Sequence, residues 1–83
     1  MNRIRKESLL SQAPIGSRLK VIRVNSGRMA KRMLANLGLV PGSEVIKTRS
    51  APFRGPIQIK VRGSSLAIGR GIANKIVVEE YAK

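Results

Sequence analysis

The sequence predicts an all-β protein with one short helix, in which about five strands close into a small, partly open antiparallel barrel. Three observations carry this. Short apolar-polar alternations recur along the chain, Gly, Pro, Asn and Ser clusters separate them at near-regular spacing, and only Arg28 to Leu37 repeats its apolar residues every three or four positions instead. At 83 residues the chain reads as one domain, and a globule of that size buries only about 60 to 65% of its unfolded surface. With one Phe, one Tyr and no Trp, its core has to come from Val, Ile, Leu, Met and Ala.

Residues 1–7 carry Arg3, Arg5 and Lys6 without apolar periodicity and read as a basic, flexible lead-in; 8–80 forms the domain and 81–83 a tail. Pro14-Ile15-Gly16-Ser17 is a turn. Arg18-Leu19-Lys20-Val21 alternates polar and apolar, and Ile22-Arg23-Val24 shifts the pattern by one, which predicts a bulge near Val21-Ile22. Asn25-Ser26-Gly27 ends that strand and offers Asn25 or Ser26 as a helix N-cap. In the helix, Met29, Ala30, Met33, Leu34 and Leu37 form an apolar face expected to pack the core, and Arg28, Lys31, Arg32 and Asn36 the outer one.

Gly38 suits the left-handed position after the helix, Pro41 fixes φ, and Gly42 follows at the turn position, pinning Leu39 and Val40 between helix and sheet. Strands follow at Ser43 to Arg49, Pro56 to Arg62, Ser65 to Ile68 and Lys75 to Glu80, with Ala51-Pro52-Phe53-Arg54-Gly55-Pro56 as a proline-bounded loop and Gly69-Arg70-Gly71 as a turn. Along Pro56 to Arg62, Ile57, Ile59 and Val61 alternate with polar neighbours, so these apolar residues are expected to face the core and the charges the water.

The chain has no Cys, which favours a reducing compartment for so small a domain, and no run near the ~20 apolar residues of a membrane span. Met1 to Ile15 lacks the apolar stretch of a signal peptide. Seventeen Lys and Arg against Glu7, Glu44, Glu79 and Glu80 leave +13, a balance that calls for an anionic partner. Without His, Cys or Asp, a specific iron site is not expected, and no metal or cofactor ligand set is assigned. Glu79 and Glu80, adjacent on a strand, point to opposite faces. Met29 and Met33 are expected to pack the core rather than offer sulfur to a metal. The serines have no histidine to activate them, a lysine would serve as a base only if buried, and Gly69-Arg70-Gly71 lacks P-loop spacing, so the chain reads as a non-enzyme.

The order of these pieces resembles the FeoA family. A Leu-rich start, Gly16, a basic strand, Arg32 and Leu34, Leu37-Gly38-Leu39 with Pro41-Gly42, the Ala51 to Pro56 loop, Ser65-Leu66-Ala67-Ile68, Ala73 and Ile76-Val77-Val78 stand in the family's succession from Ser8 to Glu80, departing once where Gly69 precedes Arg70. The resemblance implies an SH3-like barrel and a cytoplasmic accessory protein, placed peripherally at the inner membrane face, that binds the GTP-hydrolysing and membrane parts of the ferrous-iron transporter FeoB without carrying iron itself. A barrel binding RNA or DNA nonspecifically is the alternative, since +13 suits phosphate contact although only Phe53 and Tyr81 could stack on bases. A third reading, the SH3-like tail of a metal-responsive repressor, calls for a DNA-binding domain that this sequence does not contain.

A docking surface is expected on the loop residues Pro52, Phe53 and Arg54 together with the helix cations Arg28, Lys31 and Arg32, which would also suit anionic lipid headgroups. Gly38, Pro41, Gly42 and Gly55 hold the turns. A lone Phe in so small a protein is nevertheless expected in the core; exposed, it would be an anchor.

Overall fold

In the computed structural model, which describes residues 6–80, six strands form: β1 (Lys6–Leu9), β2 (Arg18–Val24), β3 (Glu44–Ser50), β4 (Ile57–Val61), β5 (Ser64–Ile68) and β6 (Ile76–Glu80). Two helices, α1 (Arg28–Asn36) and the one-turn α2 (Arg70–Ala73), and a 3-10 turn at Leu10–Gln12 join them. All pairings are antiparallel, in the order β1-β6-β2-β3-β4-β5. The first strand is the one that sequence reasoning missed. Lys6 and Glu7 belong to it and not to a lead-in, because β6 supplies the ladder and the apolar surface that Lys6–Leu9 lacks. Residues 1–5 and the 81–83 tail lie outside the described residues.

The alternation in β2 buries Leu19, Val21 and Val24, and the expected bulge falls at Ile22, where the β6 partners step from Val78 to Val77. A second bulge, at Thr48 in β3, steps from Ile59 to Gln58. Both bend the sheet toward closure. The enclosed core centres on Leu10, Leu19, Leu34, Leu39, Ile57, Ile59, Ile76, Val21 and Val78, all essentially without solvent contact.

At the end of α1, Gly38 takes φ +90° and its N–H donates to Ala35 O at 2.9 Å, while Leu39 N–H donates to Leu34 O at 2.8 Å. This pair of bonds is a Schellman closure, and the buried Leu34 and Leu39 make the apolar contact that accompanies it. Gly42, at φ +96°, lets the chain turn back so that its N–H donates to Val21 O. At the other end, Asn25 does not cap α1. Its N–H donates to Lys75 O at 2.7 Å, prolonging the β2–β6 ladder, and Gly27 becomes the N-cap without a side-chain bond.

Lys47 breaks the rule that charges face water. The inward alternation of β3 buries it at 3% exposure, and Nζ donates to the carbonyls of Leu10, Ser11 and Ala13 at 3.1, 3.1 and 2.7 Å. The ammonium therefore satisfies acceptors of a turn that has few hydrogen bonds of its own. Burial, reinforced by repulsion from Arg70, lowers its pKa from 10.5. Although buried, Lys47 is not a free base: all three of its hydrogens are committed to backbone.

Replacing Lys47 by Met should cost roughly 2 kcal/mol or more, on ~1 to 3 kcal/mol for each buried acceptor left unpaired, since Leu10 O keeps the Ala13 N–H, measured by urea unfolding. Because the folded chain holds that proton less tightly than the unfolded one, stability contributed at this site rises with pH from the lowered folded value up to 10.5. The deficit of Lys47→Met should widen across that window. Gly38→Val should lose ~1 kcal/mol or more through backbone strain, since the added Cβ would meet only Val61 at an ordinary 3.5 Å; an unchanged melting temperature would contradict the left-handed closure.

Candidate protein-docking surface

The loop between β3 and β4 is closed by Ala51 N–H to Pro56 O at 3.0 Å and by Gly55 N–H to Pro52 O at 3.1 Å. Within that inner turn Phe53 and Arg54 stand at φ 58° and 61°. Two successive left-handed residues make a primed turn, a role that usually goes to Asn-Gly, and each costs a side-chain-bearing residue ~1 to 2 kcal/mol. Gly55 has a negative φ but no room: a Cβ there would lie 2.8 Å from Ala51 Cβ and 3.2 Å from Pro52 O. The turn holds Phe53 98% exposed. The expectation of a core Phe is thus overturned, because the side chain sits at the tip of a hairpin whose apolar flank is already filled by Ile57 and Ile59.

Arg70, the first residue of α2, braces the base of this loop by donating from Nη2 to Ser50 Oγ at 3.0 Å. With Arg54 it borders an open cleft also lined by Ser11, Gln12, Gly71 and Asn74, with no carboxylate among them. Gly69, the departure noted in the sequence, is the N-cap residue of α2, so Gly69-Arg70-Gly71 starts a helical turn.

The helix supplies the second correction. Met29 and Met33 do not pack the core; they are 86% and 51% exposed, and Leu37 and Val40 beyond them are 41% and 42% exposed. Only Leu34 of α1 is fully buried, with Ala30 half-buried. At ~100° per residue, Met29, Met33 and Leu37 form one stripe, Asn36 and then Arg32 lie beyond its solvent edge, and Arg28 and Lys31 point away from it. The C-terminal end of α1 meets the barrel at Val61, whose ladder partner is Val45, whereas the Phe53 loop leaves from the Ser50–Ile57 end of the same ladder. Phe53 and that end of the helix are therefore separated along β4 and are not brought together.

Among the described residues no group of three or more His, Cys, Asp or Glu is placed to hold a metal ion, and no helix is long and apolar enough to cross a membrane. Glu7 lies 3.9 Å from Arg23 on the β1–β6–β2 side, and Glu44 stands opposite Lys20. What remains distinctive is exposed apolar surface among cations, held on a small antiparallel barrel.

Such a chain is a small SH3-like barrel domain, and its relatives specify which. The family model described as the FeoA domain matches residues 9–80, and the chain belongs to the FeoA family. A Methanocaldococcus jannaschii protein whose name assigns it to Fe(2+) transport as protein A is 37% identical over 71 residues, covering 86% of this chain and 84% of its own length. The crystal structure of an iron uptake regulatory protein (FeoA) superposes with a TM-score of 0.81 at 32% identity, covering 90% of this chain and 97% of that one. A manganese-dependent transcriptional repressor shares the fold alone, at TM-score 0.82 and 19% identity, over 93% of this chain and 43% of its own.

The strained, exposed turn makes a stability prediction opposite in sign to that for a core residue. Phe53→Asn combined with Arg54→Gly should stabilise the fold by ~1 kcal/mol or more by relieving two left-handed residues, and Phe53→Ala should leave the melting temperature nearly unchanged. A loss of ~3 to 5 kcal/mol in Phe53→Ala, the cost of truncating a core Phe, would contradict this geometry.

Proposed function

We propose that the protein is a non-enzymatic accessory of ferrous-iron transport that docks on the cytoplasmic side of a FeoB-type transporter, with iron as the transporter's cargo and not its own ligand. Membership of the FeoA family supports the transport role, and an Fe(2+) transport name on its M. jannaschii relative agrees with it. The observation that carries the docking is Phe53, fully exposed on a strained turn that stability alone would not select. A rigid turn loses little entropy on binding, so Phe53 serves as the anchor, Pro52 and Arg54 flank it, and Arg28, Lys31 and Arg32 contribute long-range attraction to an acidic surface. The protein works in the cytoplasm, at the inner face of the membrane that holds its partner.

Purified cognate transporter, or its cytoplasmic GTP-hydrolysing domain, should bind the chain reversibly, and Phe53→Ala should weaken the complex about 30-fold or more, as expected for a buried aromatic anchor. Biolayer interferometry measures both. No binding to the transporter, with salt-sensitive binding to single-stranded RNA instead, would move Phe53 and Arg54 to base stacking and phosphate contact. Anaerobic calorimetry with ferrous iron should show no stoichiometric site on the chain alone; one that survives a weak competing chelator would refute the cargo assignment.

A further inference from the structure

We infer that the exposed stripe of α1, Met29, Met33 and Leu37 with Val40 beyond it, is a second docking element that lies in an apolar groove with an acidic rim on a protein partner. The inference rests on the accessory reading above and specifies a contact that reading does not contain. A nine-residue helix is marginal in isolation and draws its stability from burying one face. Here the apolar sector is wider than the part the barrel covers. Ala30 and Leu34 occupy its inner edge, and the adjoining stripe is left to solvent over ~12 Å, the rise of the eight steps from Met29 to Leu37.

Met29, Met33 and Leu37, at i, i+4 and i+8, fall within a sector of about 80°, close to the i, i+3 or i+4, and i+7 spacing by which a helix anchors in a groove. Methionine suits such a contact because its unbranched, polarizable side chain adapts to the shape it meets. The charge around the stripe selects the partner. From Ser8 to Ser43 the chain has no acidic residue, and Arg32 stands beyond the solvent edge of the stripe. A second copy of this chain would bring the same cations face to face at +13 each, so the complement is carboxylate-bearing. A bilayer fits less well than a protein groove, because interfacial helices place Trp, Phe and Leu on the buried face, and this stripe has no aromatic residue.

The test uses Met29→Gln combined with Met33→Gln, and separately Arg32→Glu, each against the cognate transporter's cytoplasmic domain. Both methionines are exposed, so the first variant should melt with the wild type. It should bind about 30-fold more weakly. The charge reversal should slow association about tenfold or more at low salt and flatten its salt dependence, whereas Lys31→Glu, on the side away from the stripe, should slow it less. Transporter binding by the methionine variant that equals the wild type, while Phe53→Ala still weakens it, would overturn this inference and leave the accessory reading standing. Absence of wild-type binding would overturn both. Loss of adhesion to phosphatidylglycerol vesicles, or of a concentration-dependent dimer in sedimentation, in the methionine variant with transporter affinity unchanged would assign the stripe to a membrane or to self-association and overturn it as well.

Discussion

The fold depends on one buried ammonium. Lys47 reaches from the middle of β3 to the three carbonyls at Leu10, Ser11 and Ala13 and so fastens the chain's first turn over the barrel. Gly16 N–H donates to Lys47 O from the following loop, and Lys47 N–H to Ser17 O, so the same residue guides the chain into β2. A neutral side chain of equal length would fill the space but leave the Ser11 and Ala13 carbonyls unpaired, and an unpaired buried acceptor costs more than a solvated one gains. The charge itself opposes folding, as its lowered pKa records, and the hydrogen bonds offset that cost. Retaining a cation here, in a chain already at +13, is the choice of geometry over electrostatics.

That choice explains how little of α1 the barrel needs. With the entry turn fixed from β3, and the helix end fixed by the Gly38 closure and the buried Leu34–Leu39 pair, α1 is held mostly by its C-terminal end. Its remaining apolar residues have no structural task, which is why polar substitution at Met29 or Met33 is free of the cavity costs that accompany Leu34. The loop at 51–56 is free in the same sense. Its hydrogen bonds and the Arg70 brace close the turn without using the Phe53 side chain.

Much of the architecture was legible from the residues. Alternation placed β2 to β6 within one or two residues, the one-residue phase shift located the bulge at Ile22, and Gly38 and Gly42 take the left-handed conformations their spacing required. What escaped has a common cause. Periodicity reports that a helix or strand has two faces, not which face the rest of the protein covers. For α1 the covered edge is Ala30 and Leu34, and for β3 the inner face includes a lysine that alternation alone marks as inward but chemistry marks as outward. β1 escaped because its pairing partner lies some seventy residues away, and no local signal in Lys6–Leu9 announces it. Phe53 was misplaced because residue type argues for burial while the turn, with two non-glycine residues at positive φ, argues for display.

The sites where local rules fail are therefore the informative ones. A foldable sequence agrees with itself at every level, and departures persist where something other than stability selects them. Lys47 departs and has a structural partner for every hydrogen. Phe53, Arg54, Met29 and Met33 depart and have none within the barrel that explains them, yet each is mounted on a backbone that hydrogen bonds hold in place. Rigid display of apolar groups lowers the entropy lost on association, and the surrounding cations raise the encounter rate with an acidic surface. The departures without a structural partner among the described residues all lie on the surface, where display and not packing is what their positions serve.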